Sequence, residues 1–355
     1  KMKKLRIGII GNGGIAKTVH LPAYQTIPEV EVVATCDILP HRMEEVEKIV
    51  GHPIKKYQNY SDLIADPTID AVDICTPNYL HSIITIQALK ANKHVFCEKP
   101  DAISVQEVME MKKTAEQMNK VLMVMRNNRH LKTSKYLKKY IEEGKMGEIY
   151  CGRCGWQRRR GIPGKGGWFT TKAQSGGGPL IDLGVHMIDL AIYFMGNPKP
   201  VAVSGSIYNK FANDDSQSDS VHASFGDTIE NGTFDVEDLA MGFIKFDNGA
   251  CLQIEFSWAS NVKEEKNFVE LRGTKGGLMW EPHHYEIYTE ENGQLFDLNP
   301  HGSLISNGHA ANLQHFVNVV LHDEKPDFIP QQGVDMIKIL QAIYQSAQTG
   351  KEVTL

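Results

Sequence analysis

The side chains best placed to do chemistry are one lysine and one acid–histidine pair. Lys99 lies in Glu98-Lys99-Pro100, which stops the short apolar run His94–Cys97. Proline offers no ladder donor and pushes the residue before it to extended angles, so Lys99 is expected at the carboxyl end of a buried strand. In open α/β sheets that edge is where ligands bind. An amine there can polarise a carbonyl or stabilise an alkoxide; standing alone it would be an ordinary surface lysine. Farther along, Asp182, His186 and Asp189 interrupt the otherwise apolar run Leu180–Met195 at spacings that put them on one helical stripe. Such a stripe is costly to bury without a purpose. Together the three groups suit removal of a hydride and a proton from a secondary alcohol. His186 is expected to be the general base, Asp182 to orient it or bind a neighbouring hydroxyl, Lys99 to steady the oxygen, and Asp189 to support from behind. Gly176-Gly177-Gly178-Pro179 opens the helix, its glycines allowing close approach of backbone to a ligand and Pro179 suiting the first helical position.

A hydride needs an acceptor, and the start of the chain provides for one. The run Gly11-Asn12-Gly13-Gly14-Ile15-Ala16 follows an apolar strand pattern, Leu5–Ile10, opens a helical one, and is answered by Asp37 at the end of Val30–Cys36. Gly11 allows the tight turn, Gly13 lets backbone N–H groups approach a pyrophosphate, and small Ala16 lets the helix pack on its strand. Asp37, about 20 residues on, is at the offset from which a carboxylate accepts from a ribose diol and repels a 2′-phosphate, so NAD is favoured over NADP. His41 and Arg42 temper that preference. Thr76-Pro77-Asn78-Tyr79-Leu80-His81 leaves another strand at the same sheet edge, so Thr76, Pro77, Asn78 and His81, with Glu98 and Lys99, are candidate cofactor contacts; Asn78 serves equally as a helix cap. Arg129 and Trp168 are candidate substrate contacts beside Lys99, Asp182 and His186. Trp168, in a flexible-looking stretch with Arg158, Arg159, Arg160 and many glycines, suits stacking on a sugar ring or plugging a core.

Elements of two kinds must carry these groups. From Leu5 to about Met125, strand patterns near 5–10, 30–36, 71–75, 94–97 and 121–125 alternate with helical ones near 14–26, 40–50, 79–91 and 104–119, the mark of a doubly wound parallel sheet. After Arg126 the pattern changes to longer runs with glycine turns, including Asp247-Asn248-Gly249, and predicts a mostly antiparallel sheet with helices on one face. The fold class is therefore α/β, with a dinucleotide domain over 1–126 and a substrate and oligomerisation domain over 127–355, whose final helix is able to pack back on the first. Residues 213–235, rich in Ser and Asp, read as a long loop or arm.

Composition excludes other classes. The 355 residues are too many for one ordinary core, 41% of them are hydrophobic and 23% charged, and the formal net charge of −5 gives no field for nucleic acid or anionic membrane. No apolar run is long enough for a membrane helix or an export signal, so a soluble cytoplasmic enzyme is expected. The six cysteines read as small buried hydrophobes, and Cys151-Gly152-Arg153-Cys154 as a strand rather than a metal or redox motif; no metal is expected.

In these residues the chain resembles the Gfo/Idh/MocA family, which includes inositol dehydrogenases and glucose-fructose oxidoreductase. The likeness rests on Gly11 to Ala16, Asp37, Thr76 to His81, Glu98-Lys99-Pro100, and Gly177 through Asp182, His186 and Asp189. It implies a Rossmann domain followed by an α/β domain with a large open sheet whose face commonly builds dimers or tetramers. It also implies that Lys99, Asp182 and His186 match the family's catalytic lysine, aspartate and histidine. Asp101 departs from the pattern, where an apolar residue usually follows. The expected activity is NAD-dependent oxidation of a secondary hydroxyl of a sugar, cyclitol or glycoside. The alternatives are a glycoside hydrolase that retains its NAD and a non-enzymatic dinucleotide sensor.

Overall fold

Residues 4–213 and 225–355 are described by the computed structural model. The chain divides into two compact units, Lys1–Asn127 with His309–Ile337 and Asn128–Gly308 with Lys338–Leu355.

In the first unit six strands, β1 (Leu5–Ile10), β2 (Val30–Cys36), β3 (Lys55–Tyr57), β4 (Ala71–Ile74), β5 (His94–Cys97) and β6 (Leu122–Val124), form one parallel sheet in the order β3-β2-β1-β4-β5-β6. The central strands are apolar on both faces and wholly buried, as at Ile7, Ile9, Val72, Val95 and Phe96, because helices cover the sheet on each side. The predicted helix near 14–26 is π-wound over Ala16–His20 and α-helical over Leu21–Gln25. Residues 309–337, which the sequence places in the second domain, belong to the first unit. Phe316 meets Phe96 edge-on at 5.3 Å, Asn312 accepts the Arg126 amide at 2.7 Å, and the Arg126 guanidinium lies 4.8 Å over Phe328. Asp101 has a partner of its own here, a buried ion pair with Arg126 at 2.6 Å.

The second unit is built on a nine-stranded sheet. Its strands are β7 (Ile149–Gln157), β8 (Pro200–Tyr208), β9 (Leu239–Phe246), β10 (Cys251–Ser257), β11 (Lys266–Gly273), β12 (Gly276–Glu281), β13 (His284–Glu291), β14 (Gln294–Leu298) and β15 (Val353–Thr354). The order is β14-β13-β12-β11-β7-β10-β9-β8-β15, antiparallel except where β7 pairs with β10. Asp247-Asn248-Gly249 makes the β9–β10 turn, with Gly249 at φ +85° and the Asn248 side chain accepting the Ala250 amide. On β9, Ala240, Ile244 and Phe246 face the covered side while Met241 and Phe243 stay exposed. Cys154 is buried and Cys151 half-buried on β7, and all six cysteines are free.

Within the expected arm 213–235, residues 214–224 lie outside the described residues. The rest is laced to the glycine-rich segment 161–178: the Ile229 amide donates to the Lys165 carbonyl, the Asp235 amide to the Thr170 carbonyl, and Asp235 accepts the Lys172 amide at 2.7 Å. A Cβ on Gly166 would stand 2.0 Å from the Ile229 carbonyl oxygen, so its glycine permits this lacing. The segment expected to be a flexible loop is thus a hydrogen-bonded layer.

Candidate functional site

In the first unit the glycine turn, Asp37, Thr76 and Lys99 all sit at the carboxyl ends of β1, β2, β4 and β5. Gly11 has φ +90°, and a Cβ there would come within 2.7 Å of the Cys75 carbonyl oxygen, whereas a Cβ on Gly13 or Gly14 would meet nothing within 4 Å. The turn is therefore forced at Gly11 and open at Gly13 and Gly14, the surface a phosphate must approach. Asp37 accepts the Asn12 amide at 2.8 Å and the Leu39 amide at 2.9 Å, which fixes its carboxylate beside that turn. Next to it Ile38 is 81% exposed, an apolar surface suited to an adenine face. Two buried polar atoms, Asn12 Nδ2 and Thr76 Oγ1, have no hydrogen-bond partner among the described residues. Thr76 is the half-buried one of the two, a dinucleotide bound along this edge would bring polar groups toward it, and the residues present fit NAD.

Several expected cofactor contacts have other work. Asn12 is wholly buried and its side-chain oxygen accepts from Thr35; Ala16 packs in the core. His81 is wholly buried with Nδ1 2.6 Å from the Pro100 carbonyl and Nε2 2.9 Å from that of Thr76, so its ring ties two edge segments together. Burial pushes its proton affinity down, the two carbonyls opposing. Asn78 is buried and begins the turn Asn78–Leu80 behind Pro77. The Glu98 carboxylate also points inward: Oε1 lies 2.7 Å from His20 Nε2 and Oε2 accepts the Lys99 amide at 3.0 Å. For Asn12, His81 and Glu98, bonds to distant parts of the first unit claim side-chain polar atoms first. His20 and its partners Asp73 and Tyr24 escaped the sequence reading, since nothing local distinguishes a histidine inside a helix.

The second unit holds Asp182 and His186. The expected single helix is two: Pro179–Asp182 and Gly184–Phe194, joined at Leu183, with the longer one lying across β7, β10 and β11. Glu237 caps the first, its carboxylate accepting the Gly178 and Leu180 amides at 3.0 Å each and the Tyr344 hydroxyl at 2.7 Å. Burial pushes the Glu237 carboxyl up, these donors opposing. A Cβ on Gly177 would lie 2.0 Å from the Tyr344 oxygen and one on Gly178 2.1 Å from the Glu237 carbonyl oxygen. These two glycines make room for the protein's own cap, which corrects the expectation that they admit a ligand.

Asp182 accepts from Trp258 Nε1 at 2.9 Å, and Trp258 is wholly buried, so the carboxylate is held from behind. The His186 ring lies 5.9 Å from that of Trp156, over which the Arg158 guanidinium sits at 5.1 Å. Burial lowers the Arg158 proton affinity against the pull of Asp182 and Glu265. Carboxylate, imidazole, indole and guanidinium thus share one patch, and Trp156 and Trp258 are members the sequence did not single out. Asp189 forms a two-pronged buried pair with Arg129, at 2.8 and 2.7 Å, and Arg129 also covers the Tyr193 ring at 4.7 Å. That pairing makes Arg129, offered by the sequence as a substrate contact, an anchor of the helix. Trp168 is half-buried and stacked on Phe169 at 3.9 Å.

Comparison with known proteins bears on both units. Residues 5–126 match the model of an oxidoreductase family with an NAD-binding Rossmann fold, and residues 134–279 that of the GFO/IDH/MocA C-terminal domain. A D-glucoside 3-dehydrogenase of Escherichia coli (strain K12) is 36% identical over 99% of this chain and 97% of its own length. A levoglucosan dehydrogenase of Pseudarthrobacter phenanthrenivorans is 31% identical over 79% of this chain and 74% of its own. Among solved structures, a levoglucosan dehydrogenase in complex with NADH and levoglucosan superposes with a TM-score of 0.87 at 24% identity, covering 99% of each chain, a likeness of fold.

Proposed function

The chain belongs to the Gfo/Idh/MocA family of NAD-binding oxidoreductases, and from that premise we propose that it oxidises a ring hydroxyl of a sugar or glycoside using Lys99, Asp182 and His186. It is a dehydrogenase that transfers a hydride between a nicotinamide cofactor and a CH–OH group. The observation that carries the substrate class is a 36% identity running along 99% of the chain to an enzyme named for glucosides. NAD, when bound, supplies the hydride acceptor.

His186 takes the hydroxyl proton, Asp182 fixes the neighbouring hydroxyl or the imidazole, and Lys99 steadies the oxygen as it becomes a carbonyl. Trp258 holds Asp182 in place, and Trp156 offers the apolar face of a sugar a flat partner. Asp37 selects NAD over NADP, because a 2′-phosphate beside a fixed carboxylate is repelled. The exposed Met241 and Phe243 on the uncovered face of the large sheet support self-association into a dimer or tetramer. Light scattering of Phe243→Glu should then report a smaller species than the parent, and an unchanged mass would remove that face from the assembly.

The test is an assay of purified protein with NAD against D-glucose, methyl glucosides, levoglucosan and inositols, following NADH absorbance. Lys99→Ala and His186→Ala should lower kcat by roughly 10²–10⁴-fold while the NADH Kd stays within about threefold. NADP should support a kcat/KM about 10²-fold lower. Parental turnover in either variant would remove its assigned role.

A further inference from the structure

We propose that His20 is a positioning residue for Lys99, acting through Glu98; the proposal rests on the assignment of Lys99 to the reaction. His20 is wholly buried in the helix that follows the glycine turn. Its Nδ1 lies 2.6 Å from Asp73 Oδ2 on β4 and its Nε2 2.7 Å from Glu98 Oε1 beyond β5. Two carboxylates facing both ring nitrogens require both to donate, which makes the ring an imidazolium. Tyr24 donates to the same Asp73 oxygen at 2.8 Å, so that acid is fixed as well. The second Glu98 oxygen accepts the Lys99 backbone amide at 3.0 Å. A continuous chain of hydrogen bonds therefore runs from the glycine-turn helix, through the imidazolium and the Glu98 carboxylate, to the residue bearing the amine.

A buried ionic triad is a poor route to stability, since a packed apolar set of equal volume often does as well. What such a triad supplies is direction: every member is satisfied in one arrangement only. Here the arrangement fixes the two oxygens of Glu98, and through them the start of the turn Glu98-Lys99-Pro100. The remaining groups acting on the triad are Cys75, whose sulfur is 3.6 Å from His20 Nδ1, and His309 from the helix Gly308–His322, which bears on Glu98 together with Lys99. None of these replaces the His20 link, because none bridges the two strands. Removing it frees the Glu98 carboxylate to turn and lets the Lys99 amine wander, and a misplacement of about 1 Å costs on the order of 10²-fold in rate.

The test is a double-mutant cycle with NAD and a methyl glucoside or D-glucose as substrate. His20→Gln should lower kcat about 10–100-fold, with the sugar KM and the NADH Kd each within about threefold. In a Lys99→Ala background the same substitution should cost nothing more, because the group it positions is gone. A merely structural role would instead multiply the two losses. Parental kcat in His20→Gln, or an equal loss in both backgrounds, overturns the proposal while leaving Lys99 in the reaction. Parental kcat in Lys99→Ala overturns the assignment beneath it. Should His20→Gln not fold by circular dichroism, Glu98→Gln carries the same cycle.

Discussion

The proton affinities of His20 and Glu98 both stand far from ordinary values. Burial alone would push the His20 imidazole down, but the Asp73 carboxylate outweighs it and the group ends well above its usual range. Burial would push the Glu98 carboxyl up, yet the His20 bond and charge hold it at about 2. The Glu98 contribution is complete above the unfolded value of about 4.5 and is lost as pH falls toward 2. That of His20 is complete below about 6.5 and is lost as pH rises through its elevated folded value. This pair therefore makes stability flat between those limits and falling outside them. Urea unfolding of His20→Gln across a pH series should show about 3–5 kcal/mol less stability near neutrality and a flatter alkaline limb. An alkaline limb identical to the parent's would place the titrating group elsewhere. None of this was legible in the sequence, because His20 stands 53 residues from Asp73 and 78 from Glu98 and its neighbours read only as an amphipathic helix. Lys99 and His186, by contrast, stood out locally, one against a proline and the other against an apolar run.

At the scale of elements, glycines that look alike in the sequence do unlike things. Gly177→Ala drives a methyl into the Tyr344 hydroxyl, which Glu237 holds, and should cost about 1–3 kcal/mol, read as a lower Tm. Gly13→Ala meets no protein atom within 4 Å and should leave Tm unchanged while weakening NADH binding about tenfold or more. Parental NADH affinity in that variant would mean the phosphates approach elsewhere. The parallel strands were legible because continuous apolar runs between helices have few other readings. The short edge strand β3, Lys-Lys-Tyr, carries no such run, and β8 begins with proline and contains Ser-Gly-Ser, which reads as turn. The Glu237 cap on the first of the two helices was hidden because it comes from a segment more than 50 residues away.

At the scale of the molecule, the first unit cannot be made from the first stretch of chain. A fragment of residues 1–127 lacks Phe316, Asn312 and Phe328, which cover Phe96 and engage Arg126. It should show weak tertiary circular dichroism and expose apolar surface to a dye, and a cooperative thermal transition like the parent's would refute that dependence. No helix among the described residues is long and apolar enough to cross a membrane.

The strand order of the large sheet carries a consequence for biosynthesis. β7 is translated well before its neighbours β10 and β11, which follow about 100 residues later, and the edge strand β15 comes long after its partner β8. With the nucleotide-binding half waiting for residues 309–337, both halves pass through a stage of nascent chain with apolar strands lacking neighbours. Each sheet therefore closes only when its late strands or helices arrive, and holdase chaperones that shield the early strands bear on this enzyme's yield in the cell.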